Sequence, residues 1–137
     1  MAIGNNELQV VWSSVNYKDL TSGTPTATSD QFTFSTAAYA GMITLKADNQ
    51  GTPASGDTVE FYALLSCGDP DGSASAEFPN DDSDGIFLAI LDTNADDPAI
   101  ATVKIPVEAR YGRLYAKSGA TSNTIRVSAC INEKTNT

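Results

Sequence analysis

Residues 110–133 read RYGRLYAKSGATSNTIRVSACINE and show the backbone conformation more clearly than any other stretch. In the second half, four apolar residues alternate with polar ones: Ile125, Val127, Ala129 and Ile131. An alternation of period two turns one set of side chains toward a core and the other set outward, as in a β-strand. The first half alternates in the same way, and a polar loop with one glycine separates the halves. The stretch therefore predicts a β-hairpin.

The first half of this stretch has an outward face that a core does not require. Leu114 and Ala116 are the predicted inward residues, so the positions between them point away from the core. Those positions combine tyrosines with cations, and Arg126 adds another cation from the second half. We interpret this outward stripe as a contact surface. Its members are Tyr111, Arg113, Tyr115, Lys117 and Arg126.

Six further segments show strand patterns, with turn residues between them, and no segment shows a helical period. They span residues 8–13, 31–35, 42–47, 58–67, 86–91 and 99–105. The continuous apolar run at 86–91 predicts a strand buried on both faces. Short strands separated by polar turns are typical of sandwiches. The sequence thus predicts an all-β fold, an antiparallel β-sandwich or jelly roll of about eight strands, in one domain of 137 residues.

Residues 1–30 are predicted to form an N-terminal strand and an extended arm, and residues 31–137 the sandwich body. The segment 16–30 is rich in Ser and Thr, and long loops without structure are uncommon unless they bind something. It is interpreted either as an arm on a neighbouring molecule or as a surface loop. Trp12 is either a core anchor or part of that contact. The interface residues predicted here are Leu8, Val10, Trp12 and Tyr17.

The net charge of −9 is unevenly distributed along the chain. Twelve acids and no basic residue lie between Lys46 and Lys104, whereas five basic residues and one acid lie from Lys104 to Arg126. An acidic chain repels phosphate backbones, which argues against nucleic-acid binding. The asymmetry indicates either oriented contacts between copies or solvated acidic loops that maintain solubility.

Several functional classes are disfavoured by composition. The chain has no histidine, which excludes Ser-His and Cys-His catalysis and histidine ligation of a metal. Cys67 and Cys130 fall on strand faces of different parity, so two free thiols are expected. No apolar run approaches the roughly 20 residues of a membrane span, and no signal peptide pattern is present. We expect no enzymatic activity, no cofactor, no membrane partner, and synthesis in a cytoplasm.

One acidic stretch has the start of a calcium loop. Asn80, Asp82 and Asp84 offer oxygen ligands at alternate positions, and Gly85 follows. Leu91 stands where the bidentate Glu of such a loop is expected. The same composition also forms ordinary Asx turns, so both interpretations stay open.

The closing stretch, the first strand with Trp12, and the Ser/Thr/Gly-rich segment after it together resemble head decoration (cement) proteins of tailed bacteriophages. The resemblance implies a β-sandwich that binds the outside of an icosahedral shell, often as a trimer, through an N-terminal segment. It implies the major capsid protein as partner and the outer capsid surface of the virion as location. It implies no catalytic residues. Phage tail and fibre components look similar.

Two functional hypotheses follow. The first is a virion structural protein that decorates and stabilises a capsid at capsomer junctions. The second is a carbohydrate-binding or adhesion module on the same sandwich, in which tyrosines and acids at one edge contact a sugar.

Overall fold

The protein folds into two antiparallel β-sheets packed face to face, in a computed structural model that describes residues 3–72 and 74–136. Sheet I has the order β1-β10-β5-β8, with β2 also on β10, and sheet II has the order β3-β9-β6-β7, with β4 also on β9. A 3-10 turn covers Asp82–Asp84. The strands are β1 (Ile3–Gln9), β2 (Lys18–Leu20), β3 (Thr26–Thr28), β4 (Phe32–Thr33), β5 (Ala38–Asn49), β6 (Thr58–Ser66), β7 (Ile86–Asp92), β8 (Ala99–Lys104), β9 (Tyr111–Ser118) and β10 (Ile125–Asn136).

Two pairs of short strands share one position each, which gives eight positions in total. Strands β1 and β2 both lie beside β10, and β3 and β4 both lie beside β9. Numbered along the chain, the positions run 1-8-3-6 in one sheet and 2-7-4-5 in the other. This is the strand order of a jelly roll. The predicted antiparallel sandwich or jelly roll of about eight strands is confirmed.

The core lies between the sheets and is filled by alternate residues of each long strand. The inward residues predicted for β9 and β10 are confirmed, because Leu114, Ala116 and the alternating apolar set of β10 are all buried. The central strands β5 and β6 supply further fully buried side chains, such as Leu45 and Phe61. Each buried large apolar side chain contributes roughly 1.5–3 kcal/mol, so this shared interior stabilises the pairing of the sheets.

The predicted hairpin at residues 110–133 is wrong in its pairing. Strand β9 pairs with β6 in sheet II, and β10 pairs with β1 and β5 in sheet I. The loop between them crosses from one sheet to the other. The Gly119 N–H donates to the Thr58 carbonyl at the start of β6, and Asn123 Nδ2 donates to the Thr52 carbonyl before that strand. Alternation defines which face of each strand is buried, but it does not define the neighbouring strand.

The predicted extended arm is also different in the structure. Strand β1 begins at Ile3 and pairs with β10 over seven residues, while β2 and β3 attach the next segment to both sheets. Trp12 is only 5% exposed and Val10 is buried beside it. Strands of three residues are too short to show a period, so the pattern of residues 16–30 resembled a loop. Residues 1, 2 and 137 of the predicted ranges lie outside the described residues.

Both cysteines carry free thiols, as predicted. Cys67 was expected on the inward face of β6, but that strand ends at Ser66 and Cys67 is exposed. Near its end β6 buries Leu64 and Ser66 instead of continuing the inward series of its first half. Cys130 is half-buried on the outer face of sheet I, where burial and a hydrogen bond with Glu7 raise the pKa of its thiol.

Candidate functional site

The outward stripe of β9 lies on the outer face of sheet II, but the protein's own chain covers most of it. Residues 78–82 of the loop between β6 and β7 fold back over this face. Phe78 stacks under the Arg113 guanidinium at 4.8 Å, and Asp82 pairs with Lys117 at 3.3 Å. This ion pair raises the pKa of the Lys117 ammonium. Tyr115 is only 8% exposed. The loop therefore covers Arg113 and Tyr115 of the predicted surface, whereas the Lys117 side chain stays 45% exposed.

Replacing Phe78 with serine is expected to release this loop, because the Arg113 contact is its main aromatic anchor. The loop contains several aspartates, so an Asp-specific protease should cut residues 68–85 severalfold faster than in the wild type. The same substitution at Phe87, an exposed phenylalanine outside the loop, is the matched control. Equal cleavage of the two variants would mean that Phe78 does not hold the loop.

Arg126 lies on the opposite side of the molecule from Arg113. It is on the outer face of sheet I, where its guanidinium donates two hydrogen bonds to Asp19, at 2.8 and 3.1 Å, and stacks on Tyr17 at 4.0 Å. The ion pair lowers the pKa of Asp19 and raises that of Arg126. The predicted contact surface is therefore divided between two sheets. Tyr111 and Arg110 form a separate cation–π pair at the start of β9.

The outer face of sheet I is the more open of the two faces. Its outward positions on β1, β5, β8 and β10 are polar or half-exposed for most of their length. Four of the eight basic residues of the chain project from it: Lys46, Lys104, Arg126 and Lys134. The long acidic loop, in contrast, covers sheet II. The charge asymmetry along the sequence does not coincide with the two faces, because Arg113 and Lys117 of the basic stretch lie on sheet II.

An apolar groove of about 520 Å³ opens at the edge between the sheets. Strand β7 forms one wall, and the starts of β5 and of the β8–β9 connection form the other. Ile86 and Phe87 are about half exposed at its mouth. Its principal lining residues are Tyr39, Met42, Ile86, Phe87, Leu88, Lys104, Ile105, Val107, Glu108, Asn132 and Lys134.

Strand β7 was expected to be buried on both faces, and this expectation is wrong. It is an edge strand that pairs with β6 alone among the described strands, and Ile86, Phe87 and Ile90 are exposed. Phe87 is the end of an aromatic row across three strands, in edge contact with Tyr62 at 5.6 Å, which in turn contacts Tyr115 at 6.4 Å. An apolar run does not by itself distinguish a central strand from an exposed edge.

The residues of the predicted calcium loop are used differently. Asp82 and Asp84 lie in the 3-10 turn, which Asp81 caps by accepting the Ser83 N–H, and Asp82 pairs with Lys117. In the described part of the chain, the carboxylates within 4.8 Å of one another belong to a different trio: Asp69, Asp71 and Glu77. Asp69 accepts the N–H groups of Asp71 and Ala74, as in an Asx turn. Calcium binding at Asn80, Asp82 and Asp84 stays a prediction.

Comparison with known proteins shows the fold and no more. No family model matches the chain, and no curated protein matches it in sequence. Solved structures that match include a chain of the expanded equine rhinitis A virus particle, a picornavirus capsid. It has 14% identity and a TM-score of 0.45, with 93% of this chain and 71% of that chain covered.

Two other matches are larger proteins of which this chain covers a small part. Dimeric latent PorU from Porphyromonas gingivalis matches at 8% identity with a TM-score of 0.54, covering 99% of this chain and 13% of that one. The CBM22-1–GH10 modules of a Clostridium thermocellum xylanase, solved with xylohexaose, match at 11% identity with a TM-score of 0.50, covering 92% and 28%. Within residues 3–72 and 74–136, no helix is long and apolar enough to cross a membrane.

Proposed function

We propose that the protein is a virion structural protein that decorates an icosahedral phage capsid and stabilises it at capsomer junctions, without catalysis. The observation that supports this proposal is the difference between the two faces. The outer face of sheet I is open and carries half of the basic residues, whereas an acidic loop covers sheet II. A molecule with one open face and one face covered by an acidic loop is expected to bind a larger surface in one orientation, with the open face in the contact.

The mechanism is physical. In this proposal the outer face of sheet I meets the major capsid protein, and the acidic loop faces the solvent on the outside of the virion. Contact area buried across a junction opposes separation of the capsomers. An oligomer that engages several junctions gains effective concentration without tighter single contacts.

The structure narrows the residues proposed for this contact. Tyr17 and Arg126 are retained, because both are accessible on sheet I and their stacking presents a flat aromatic and cationic surface. Leu8 is partly buried beside the core. Val10 and Trp12 are core residues, and Arg113 and Tyr115 are covered by the loop, so neither pair belongs to the proposed interface.

Neutralising two cations of this face tests the proposal. Lys46→Gln with Lys134→Gln is expected to lower occupancy on capsids purified from the same virus by about tenfold at low salt, because rim charges control association. Ser75→Asp with Asn80→Asp changes the net charge by the same amount on the loop and is the matched control, with occupancy unchanged. Equal occupancy of the first variant and the wild type would contradict the assignment of this face.

A second candidate function is carbohydrate binding or adhesion, and the groove favours it. Tyr39 and Phe87 present half-exposed rings there, near the polar side chains of Asn132 and Glu108. Exposed rings beside polar groups suit the stacking and hydrogen bonding that sugars require. Specific binding on a glycan array, lost in Phe87→Ala, would support this function. EDTA sensitivity of that binding would further implicate calcium.

A further inference from the structure

The free edge of β7 lacks the charges and prolines by which most natural edge strands avoid pairing with other chains. No charge and no proline occurs between Gly85 and Asp92. The β8 edge of sheet I is also uncharged over residues 99–103 and ends at Lys104, as β7 ends at Asp92, but a proline, Pro106, follows β8 closely. An apolar edge strand with exposed side chains is a template for another strand.

We propose that this edge pairs with the β7 edge of a second copy of the chain, in antiparallel register around a twofold axis between Leu88 and Ala89. The bulge in the β6–β7 pairing turns Phe87 and Ile90 to the same outer face, although they are three residues apart. In this register Phe87 lies opposite Ile90 of the second copy, and Ile86 lies opposite Leu91. Opposite residues then share a face, as antiparallel pairing requires.

The same register places one carboxylate, that of Asp92, at each end of the paired strands. Asp92 of the second copy aligns with Gly85, beside the groove that Lys104 and Ile86 both line. Lys134 lines the groove as well. Two further acids lie near this end of the strand. Asp84 directly precedes Gly85 in the chain. Glu108 lines the groove, and its carboxylate accepts a hydrogen bond from the Val107 N–H. In the proposed dimer, Asp92 of the second copy lies toward Lys104 of the first, and the twofold axis places Asp92 of the first copy toward Lys104 of the second.

The exposed apolar area suits an interface of ordinary size. The full surface of a large side chain is ~200 Å². Five large apolar side chains that are about half exposed therefore leave roughly 500 Å² of apolar surface exposed to solvent on each copy. A standard interface covers about 800 Å² per partner, and roughly 57% of it is non-polar, or about 450 Å². The five side chains are Tyr39, Met42, Ile86, Phe87 and Ile90.

This dimer uses the edge of the sandwich and leaves Tyr17, Lys46 and Arg126 on the outer face of sheet I free, whereas Met42, Lys104 and Lys134 line both the groove and that face. It therefore does not depend on capsid binding, and either proposal can fail without the other. A twofold dimer differs from the trimer that the family resemblance implies, and a mass measurement distinguishes the two.

The decisive experiment compares one substitution at two exposed isoleucines, one on the β7 edge and one on the β8 edge. Ile90 is 55% exposed on β7, and Ile100 is 60% exposed on β8. Sedimentation equilibrium of the full chain at micromolar concentrations is expected to give twice the chain mass. Ile90→Lys should raise the dimer Kd by about tenfold or more, and Ile100→Lys should not. Unchanged near-ultraviolet circular dichroism verifies that both variants are folded.

Three results would overturn the proposal. These are a monomeric wild type, a trimer insensitive to Ile90→Lys, and a dimer that Ile100→Lys dissociates instead. A monomer that binds a glycan through Phe87 would assign the groove to the second candidate function.

A charge exchange tests the register. Lys104→Glu and Asp92→Lys should each weaken self-association severalfold. An equimolar mixture of the two variants should recover heterodimers, because both 92–104 contacts then pair opposite charges, whereas each homodimer has two like-charge contacts. If neither variant weakens self-association, this register is excluded, even if Ile90→Lys dissociates the dimer.

Discussion

Asp57→Ala is expected to lower the free energy of unfolding by about 3 kcal/mol, among the largest effects of any polar substitution in this chain. The Asp57 carboxylate is buried at the start of β6 and accepts hydrogen bonds from Asn49 Nδ2 at 3.0 Å, Asn123 Nδ2 at 2.9 Å and the Ala54 N–H at 3.0 Å. Asn49 also donates to Thr93. The carboxylate thus connects three loops at one end of the sandwich.

Removing the carboxylate leaves buried donors without an acceptor, which is the costly case for a hydrogen bond. Asp57→Asn is the matched variant, because its amide keeps the shape and one acceptor oxygen. Urea unfolding should place it between the wild type and Asp57→Ala. A loss below about 1 kcal/mol for Asp57→Ala would show that the network does not stabilise the fold.

The same carboxylate makes stability depend on pH. Burial alone would raise the pKa of Asp57, but the hydrogen bonds from Asn123, Ala54 and Asn49 outweigh it and hold the pKa below its usual value. A lowered folded-state pKa stabilises the protein above the unfolded-state pKa, about 3.9. That contribution is lost as the pH falls below about 4 toward the folded-state pKa. Asp57→Asn should show a flatter decline of stability over this acidic range.

Gly112→Ala is expected to cost about 2 kcal/mol, because β9 has no room for a side chain there. A Cβ at this position would lie 2.7 Å from Phe32 Cζ. The Phe32 ring cannot move away easily, since it is buried and in edge contact with Phe34 at 5.6 Å. Strand β4 pairs with β9 at this residue, so the strain acts directly on the sheet.

A double-mutant cycle tests this cause. Phe32→Leu removes the ring edge, and Gly112→Ala in that background should cost at least about 1 kcal/mol less than in the wild type. Gly56→Ala is not a suitable control, because its φ of 93° strains any other residue. Additive losses in thermal or urea unfolding would mean that the Phe32 ring does not limit this position.

The sequence predicted the fold class and most inward residues, because the period-two pattern is a local property of each strand. Leu114 and Val127 were placed correctly for this reason. It did not predict that their strands belong to different sheets, since the side-chain anchors of the intervening loop, such as Asn123, are long-range contacts. The hairpin therefore remained the simplest interpretation of two adjacent alternating runs.

The candidate surface was less predictable than the fold. Arg113 and Arg126 share a strand pattern, and only the three-dimensional arrangement separates them onto opposite faces. The burial of Arg113 depends on Phe78, which is 35 residues away along the chain and lies in a segment without a period. The exposure of Ile90 depends on the absence of a further strand beside β7, which no local pattern encodes.

The position of β10 has a consequence for biosynthesis. This strand lies at the centre of sheet I and pairs with β1, β2 and β5, although it is the latest of them to be translated. While residues 125–136 remain in the ribosomal exit tunnel, β1 and β5 have no central neighbour. The nascent chain therefore holds one unfinished layer until residues 125–136 emerge, when closure requires contacts between distant segments, which form slowly. Chaperones that bind nascent chains would encounter that open layer first.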